Sequence, residues 1–153
     1  MPPKALQQEK IFHLDLHEFS AVQSGTPVQE VINQMRRDKH NCAFVLQDGL
    51  IVGIFTDRDV LKKIVTQPDS WGQPVDDFMT ASPTSIAPDA IAETALQLME
   101  EGHFRNLPVV DGDGKLHGNV SYYAFIKFLA DHFPQEIYNL PPDDGIADNR
   151  YGG

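Results

Sequence analysis

Apolar residues fall at Val28, Val31, Ile32 and Met35, the i, i+3, i+4, i+7 spacing that lays one buried stripe along a helix. The same stripe returns 64 positions later as Ala92, Ala95, Leu96 and Met99. Behind each stripe comes a short apolar run, Ala43, Phe44, Val45 and Leu46 in the first case and Leu107, Pro108, Val109 and Val110 in the second, again 64 apart. Runs of that kind predict buried strands. Each ends in a turn containing Asp-Gly, at Asp48 and Gly49 and at Asp111, Gly112, Asp113 and Gly114. Asp-Gly between apolar runs predicts a hairpin, because the turn needs residues that tolerate positive φ. The second turn is one residue longer and moves the offset to 65, so that Gly53 meets Gly118 and Thr56 meets Ser121. At that offset Val60, Leu61, Ile64 and Val65 meet Phe125, Ile126, Leu129 and Ala130, all apolar. Upstream, Val22 lies 64 before Ile86.

Each copy therefore predicts strand, helix, strand, hairpin, strand and helix over about 45–50 residues, too few to stand alone, so the two copies must pack together. The expected organisation is an N-terminal extension (1–19), a first repeat (20–66), a linker (67–80), a second repeat (81–132) and an acidic tail (133–153). Pro68, Trp71, Gly72 and Pro74 suggest an ordered linker, and Ile11, Leu14 and Phe19 fit a short helix docked on the core. Pro134 is expected to stop the last helix, and from Asp131 onward five acids face only Arg150.

Composition narrows the function. The 153 residues are 41% hydrophobic and carry 12 basic against 22 acidic side chains, a formal charge of −10. That balance argues against nucleic acid and against an anionic membrane surface as partners. No apolar run approaches the roughly 18 residues of a membrane span, and the N-terminus has no apolar core of signal-peptide length, so the expected location is cytoplasmic. The single cysteine, Cys42, allows neither an internal disulfide nor a multi-cysteine metal site.

Two ordered sets of helix, buried strand, Asp-Gly turn and Gly-x-x-Thr/Ser resemble a tandem pair of CBS domains, the Bateman module, of the stand-alone bacterial type. The resemblance is carried by the stretch from Gly53 through Thr56, Arg58 and Asp59 to Leu61, and by the stretch from Met99 through Gly102, Phe104 and Arg105 to Asp111. Phe78, Met79 and Thr80 resemble the join before a second repeat. The resemblance implies an α/β fold of the two-layer α+β kind, with β-α-β-β-α repeats packed pseudo-symmetrically around a central cleft and two quasi-equivalent sites. It also implies an adenosyl ligand, AMP, ADP or ATP ahead of S-adenosylmethionine or NAD, a regulatory role toward an unknown downstream protein, and homodimers. No cofactor is required.

Thr56 and Asp59 stand where a strand passes into a helix. A helix start offers N–H donors and a positive dipole to a phosphate, a carboxylate there can accept from both ribose hydroxyls, and the Thr hydroxyl both donates and accepts. The same Thr-x-x-Asp spacing is also that of a capping box, in which the two side chains only satisfy the helix end. By resemblance, Asp59 belongs to a nucleotide site whose other wall comes from the second repeat, near Thr84, Ile86, Phe104, Arg105 and Asn106. There Phe104 would cover the base and Arg105, with Arg58 as a weaker candidate, would meet phosphate. In the second copy Ser121 keeps the hydroxyl but Ala124 replaces the acid, so that site is expected to be degenerate, with Tyr122 and Tyr123 as candidates to fill it.

His13 and His17 have i, i+4 spacing but no third metal ligand nearby, and His40 and His103 are read as equivalent repeat positions after the two first helices. Lys115 and Tyr122 stand where a calcium loop beginning at Asp111 needs acids. No catalytic residue and no metal site are expected. The reading is a non-catalytic sensor with one competent nucleotide site; the alternatives are a dimerisation or interaction platform with no functional ligand site, and a redox role for Cys42.

Overall fold

Each half of the chain builds its own small sheet, and each sheet is finished by a segment that precedes the other half. The structure, a computed structural model, describes residues 4–132. The expected acidic tail and the stop at Pro134 lie outside the described residues. In the first half β1 (Ser20–Gln23) runs parallel to β2 (Cys42–Gln47), β2 pairs antiparallel with β3 (Leu50–Thr56), and β3 pairs antiparallel with the short β4 (Thr80–Ala81). The second half pairs β5 (Asn106–Val110) antiparallel with β6 (Leu116–Ser121). Ile86 lies beside β5 in a parallel bridge to Val109, as β1 lies beside β2. On the far side of β6, the amide of Asn119 donates to the carbonyl of Leu16 at 2.9 Å. Ile54 pairs with Thr80 in the equivalent place.

The helices follow the apolar stripes. After α1 (Lys4–Gln8), α2 (Val28–Asp38) buries Val28, Val31 and Met35, and α4 (Ala92–Gly102) buries Ala92, Ala95 and Met99. Both end on a residue in the left-handed region, Lys39 at φ 60° and His103 at φ 54°, whose amides return to the last turn. This corrects the equivalence expected of His40 and His103: by cap geometry His103 corresponds to Lys39, and His40 to Phe104. The turn after β2 uses positive φ at both Asp48 and Gly49, 53° and 81°, as a two-residue hairpin of this hand requires. In the second turn the Asp111 carboxylate accepts from the amides of Asp113 and Lys115 at 2.9 and 3.0 Å. A helical stretch follows each hairpin, α3 (Asp57–Asp59) continuing as a π-helical turn (Val60–Ile64), and α5 (Tyr122–His132).

The 64-residue correspondence continues upstream of both repeats. Lys10 bridges Ile91 as Pro74 bridges Pro27. Ile11 and Val75 are both fully buried, and Leu14 and Phe78 nearly so. Leu6, Ile11 and Leu14 lie in the core of the second repeat, with Leu107, Val109, Val120 and Phe125, whereas Val75 and Phe78 lie in that of the first, with Val31, Val45, Phe55 and Ile64. The extension is therefore docked through Ile11 and Leu14, but the helix expected over Ile11, Leu14 and Phe19 shortens to a 3-10 turn at Ile11–His13, and Phe19 lies outside both cores, stacked on Phe44 with ring centroids 5.2 Å apart. The linker is ordered in two 3-10 turns, Pro68–Gly72 and Val75–Asp77.

Strand alternation directs Ala43 and Val45 of β2 toward the first core. Cys42 and Phe44, on the opposite face, are equally buried but belong to neither core. Cys42 there meets Asn119 of β6, whose Nδ2 lies 3.6 Å from its sulfur.

Two glycines permit the exchanged segments to come close. A Cβ on Gly118 would lie 2.5 Å from Leu16 Cβ and 2.8 Å from its carbonyl oxygen, whereas a Cβ on Gly53 would meet only the thioether end of Met79. Gly118→Ala is therefore expected to cost about 1–3 kcal/mol, and Gly53→Ala clearly less, in parallel denaturant titrations. A second expectation concerns acid. Lys127 Nζ donates to Asp15 Oδ2 at 2.8 Å, tying the extension to α5. That bond, helped by the His17 amide, holds the Asp15 carboxyl down from 3.8 to about 2. A depressed folded value stabilises above the unfolded pKa and is lost as pH falls from about 4 toward 2, a contribution of about 1 kcal/mol given the half-exposed lysine. Asp15→Asn should flatten stability across that pH window relative to the parent chain.

Candidate functional site

The end of β3 delivers a polar side chain to the boundary between the repeats. Thr56 is extended, and the chain turns helical at Asp57. The expected capping box forms: Asp59 Oδ2 accepts from the Thr56 amide at 2.9 Å, and the Asp59 amide faces Thr56 Oγ1 at 3.5 Å. One turn on, Lys63 Nζ lies 3.0 Å from Asp59 Oδ1 and donates to the Phe78 carbonyl at 2.7 Å. The Thr56 hydroxyl also reaches Asp59 Oδ2, at 3.3 Å. Of the roughly four acceptor positions on a carboxylate, one is left open.

This corrects the expectation of free N–H donors at the helix start. The Asp57 amide donates to the Asn41 carbonyl at 3.0 Å, the Arg58 amide to the Asp57 carboxylate at 2.8 Å, and the Asp59 amide is directed at Thr56 Oγ1. An anion here meets side chains rather than the helix end.

A cleft of about 360 Å³ opens beside this helix start, between the two repeats. Of the residues singled out from sequence, Thr56, Arg58 and Asp59 line it from the first repeat, and Thr84, Phe104, Arg105 and Asn106 from the second. Ile86 does not line it: its side chain lies in the second core, and its amide and carbonyl bond to Pro108 and Val110 along β5. Seven further residues line it that were not placed in the cleft from sequence: Ile54, Thr80, Ser82 and Pro83, and three that add charge or shape. Asp57 lines the cleft and faces Arg105, Nη2 to Oδ1, at 3.6 Å. Gly102 lies beneath the Phe104 ring, where any Cβ would collide with it. His103 supplies an imidazole at the rim. The two arginines balance Asp57 and Asp59, leaving no formal charge on the lining when His103 is neutral.

The quasi-equivalent place holds a smaller cleft of about 220 Å³, lined by Asn41, Ser121, Tyr122 and Tyr123 among others. The tyrosines wall this cleft and leave it open. Ala124 does not reach it, being buried in the second core while its amide donates to Ser121 Oγ at 3.3 Å. Asp57, Arg105 and Asn106 line both clefts, so one ion pair forms part of the wall between them.

The remaining candidates are engaged elsewhere. Burial, with Asp57 and Glu18 nearby, pushes the Cys42 thiol up to about 12, which removes thiolate chemistry at neutral pH. His13 bonds Glu9, His17 bonds Asp15, His117 bonds Asp111, and His40 lies 3.2 Å from Ser20 Oγ. Among the described residues no three His, Cys, Asp or Glu side chains are grouped so as to hold a metal ion, and no helix is long and apolar enough to cross a membrane.

Comparison with known proteins agrees with this architecture. The chain is 27% identical over 123 residues to a 17.7 kDa protein of Acidianus ambivalens, a match covering 80% of this chain and 74% of that one. It is 42% identical over 107 residues to the CBS domain-containing protein CBSCBSPB5 of Arabidopsis thaliana, covering 68% of this chain but spanning only 19% of the plant protein. Among solved structures, CBSX2 in complex with AMP superposes with a TM-score of 0.70 at 24% identity, over 81% of this chain and 98% of that one. The cytosolic domain of the Mg2+ channel MgtE in complex with ATP gives 0.67 at 25% identity, over 82% of this chain and 52% of that one. The family model for the CBS domain matches twice, at residues 15–66 and 75–131, and the chain belongs to the CBS-domain family.

Proposed function

We propose that this chain is a non-catalytic regulatory module that binds an adenine nucleotide in the larger cleft between its repeats. The observation that carries this reading is the composition of the cleft: a carboxylate and hydroxyl from one repeat face an aromatic ring, an arginine and an amide from the other across about 360 Å³. That volume lies within the range of about 300–1,000 Å³ usual for small-molecule sites, whereas the second cleft, at about 220 Å³, falls below it. The AMP and ATP complexes of two structural neighbours support the ligand class.

In this reading the ribose takes the open acceptor position on Asp59 and a hydrogen bond with the Thr56 hydroxyl, and Phe104 covers the base. Arg105 supplies the charge for phosphate. Its pair with Asp57 is exposed by about half on each side, so exchanging that carboxylate for a phosphate sacrifices little. The neutral lining and the chain's net charge of −10 make each additional phosphate less welcome, and the module takes AMP ahead of ADP and ATP. Because both repeats contribute walls, a bound nucleotide stabilises one relative arrangement of them, which is the signal a downstream protein reads. A homodimer completes the proposal: Leu61 and Ile126, at equivalent repeat positions, are 69% and 63% exposed, an apolar pair that a second copy would cover.

Titration calorimetry on the full chain tests the site. Saturable heat with AMP is expected, weaker with ATP. Asp59→Asn, which retains an acceptor for the Thr56 amide, should lower affinity about 10- to 150-fold by removing a charged hydrogen-bond partner. Arg105→Ala should weaken AMP but leave adenosine unchanged. No saturable heat with any adenosyl compound would overturn the proposal and favour the interaction platform. A structural companion is Gly102→Ala, which should leave the melting temperature within a few degrees while displacing Phe104 and weakening AMP several-fold. Unchanged AMP affinity in that variant would remove Phe104 from the base wall.

A further inference from the structure

We infer that Asn119 sets the polarity of the cleft wall by locking the Asn106 amide so that only its N–H donors face a ligand; this rests on the larger cleft being a ligand site. Asn119 is fully buried in the middle of β6, where the first repeat carries Ile54. Its amide orientation is fixed twice. The Leu107 backbone N–H, which can only donate, lies 3.0 Å from one end, and that end must be the carbonyl oxygen. The Glu18 backbone carbonyl, which can only accept, lies 2.8 Å from the other, and that end must be the NH2. The second proton of this NH2 is directed at the Asn106 side chain at 2.9 Å, with the Cys42 sulfur further off at 3.6 Å.

The atom of Asn106 that faces a donor must itself be the acceptor, its Oδ1. The Asn106 NH2 then points away from Asn119. Among the described residues every buried side-chain nitrogen and oxygen has a hydrogen-bond partner, and none is found for this NH2, so it is open to solvent. The openings that Asn106 lines are the two clefts. A flipped Asn106 would set NH2 against NH2 and forfeit a buried hydrogen bond, a state populated roughly 5- to 150-fold less.

A ligand in the cleft therefore meets a donor at this point of the wall and must bring an acceptor to it, a ring nitrogen or a phosphate oxygen. A group offering only N–H donors is rejected there, because a site built to complete one hydrogen bond leaves its own group unpaired with the wrong partner. Asn106 is the group that touches ligand, and Asn119 is the positioning residue behind it.

The test uses the full chain, AMP as probe, calorimetry and side-chain amide NMR. The Asn119 NH2 signals should exchange slowly with water and those of Asn106 quickly, and AMP should shift the Asn106 pair. Asn106→Asp, which still accepts from Asn119 but offers no donor at pH 7.5, should bind AMP at least tenfold more weakly. Relative to the parent chain it should recover affinity as pH falls through the carboxyl range, when the protonated acid supplies a donor. Asn119→Ile, the first repeat's own residue at this place, should lose affinity about twofold as Asn106 becomes free to flip. If that variant does not fold, the pH profile of Asn106→Asp decides. Parental AMP affinity for Asn106→Asp at pH 7.5, or AMP shifts elsewhere in the cleft with the Asn106 pair unmoved, overturns the inference. AMP shifts nowhere would instead remove the nucleotide reading, and the lock would then stand or fall on the exchange contrast, equal exchange of the two amides overturning it.

Discussion

Each sheet ends on a strand edge that its own repeat cannot close, and the closure comes from the segment leading into the other repeat. Leu16 accepts from Asn119, Thr80 pairs with Ile54, and the buried pairs Ile11 with Val75 and Leu14 with Phe78 fill each other's cores across the exchange. An open edge and a half-filled core would both be costly for a unit of this size. The exchange makes the two halves a single folding problem. It also fixes the functional geometry, because the faces left over after each core is filled can only meet each other. Cys42 and Asn119 meet on those faces, and Thr56, Phe104 and Arg105 line the gap between them.

Within that gap the near-symmetry of the backbone is broken by side chains. The capping box at Thr56 and Asp59 uses up the helix-start donors, so the groups the larger cleft has left to offer are Arg105, the remaining face of Asp59 and the Asn106 amide. The smaller cleft has Ser121 and two tyrosines in the corresponding stretch and no acid at Ala124. The wall between them, Asp57 with Arg105 and Asn106, belongs to both. Under the proposed nucleotide reading, an anion that recruits Arg105 on one side withdraws it from the other, and one anionic ligand per chain is expected rather than two.

Much of this was legible in the sequence because it is local and periodic. The stripes at Val28 and Ala92, the Asp-Gly turns, the duplication and the capping box are written in spacings of two to seven residues, and backbone geometry enforces those spacings. The resemblance to CBS pairs supplied the placement of Phe104, Arg105, Asn106 and Thr84 opposite Thr56. What stayed hidden depends on partners distant in the chain. The apolar pairs Ile11 with Val75 and Leu14 with Phe78 sit at the repeat offset, but nothing local says that each fills the opposite core. Asn41, whose carbonyl occupies the Asp57 amide, gives no cue, and neither does Gly102 beneath Phe104. Ile86 went to the core because its backbone pairs along β5 and its side chain follows. Asn119, a polar residue in a strand, gives no local cue to its burial, which comes from Cys42 and the Glu18 carbonyl of the other half.

Native-state hydrogen exchange on the full chain tests the exchanged-segment architecture most directly. The amides of Ile11, Val75 and Asn119, which tie the two exchanged segments to the repeats they complete through Ala90, Thr26 and Leu16, should open only with the free energy of global unfolding, equal to that of the core strands in both repeats. Two separate opening energies, one for each half, with these three amides exchanging ahead of the cores, would contradict it.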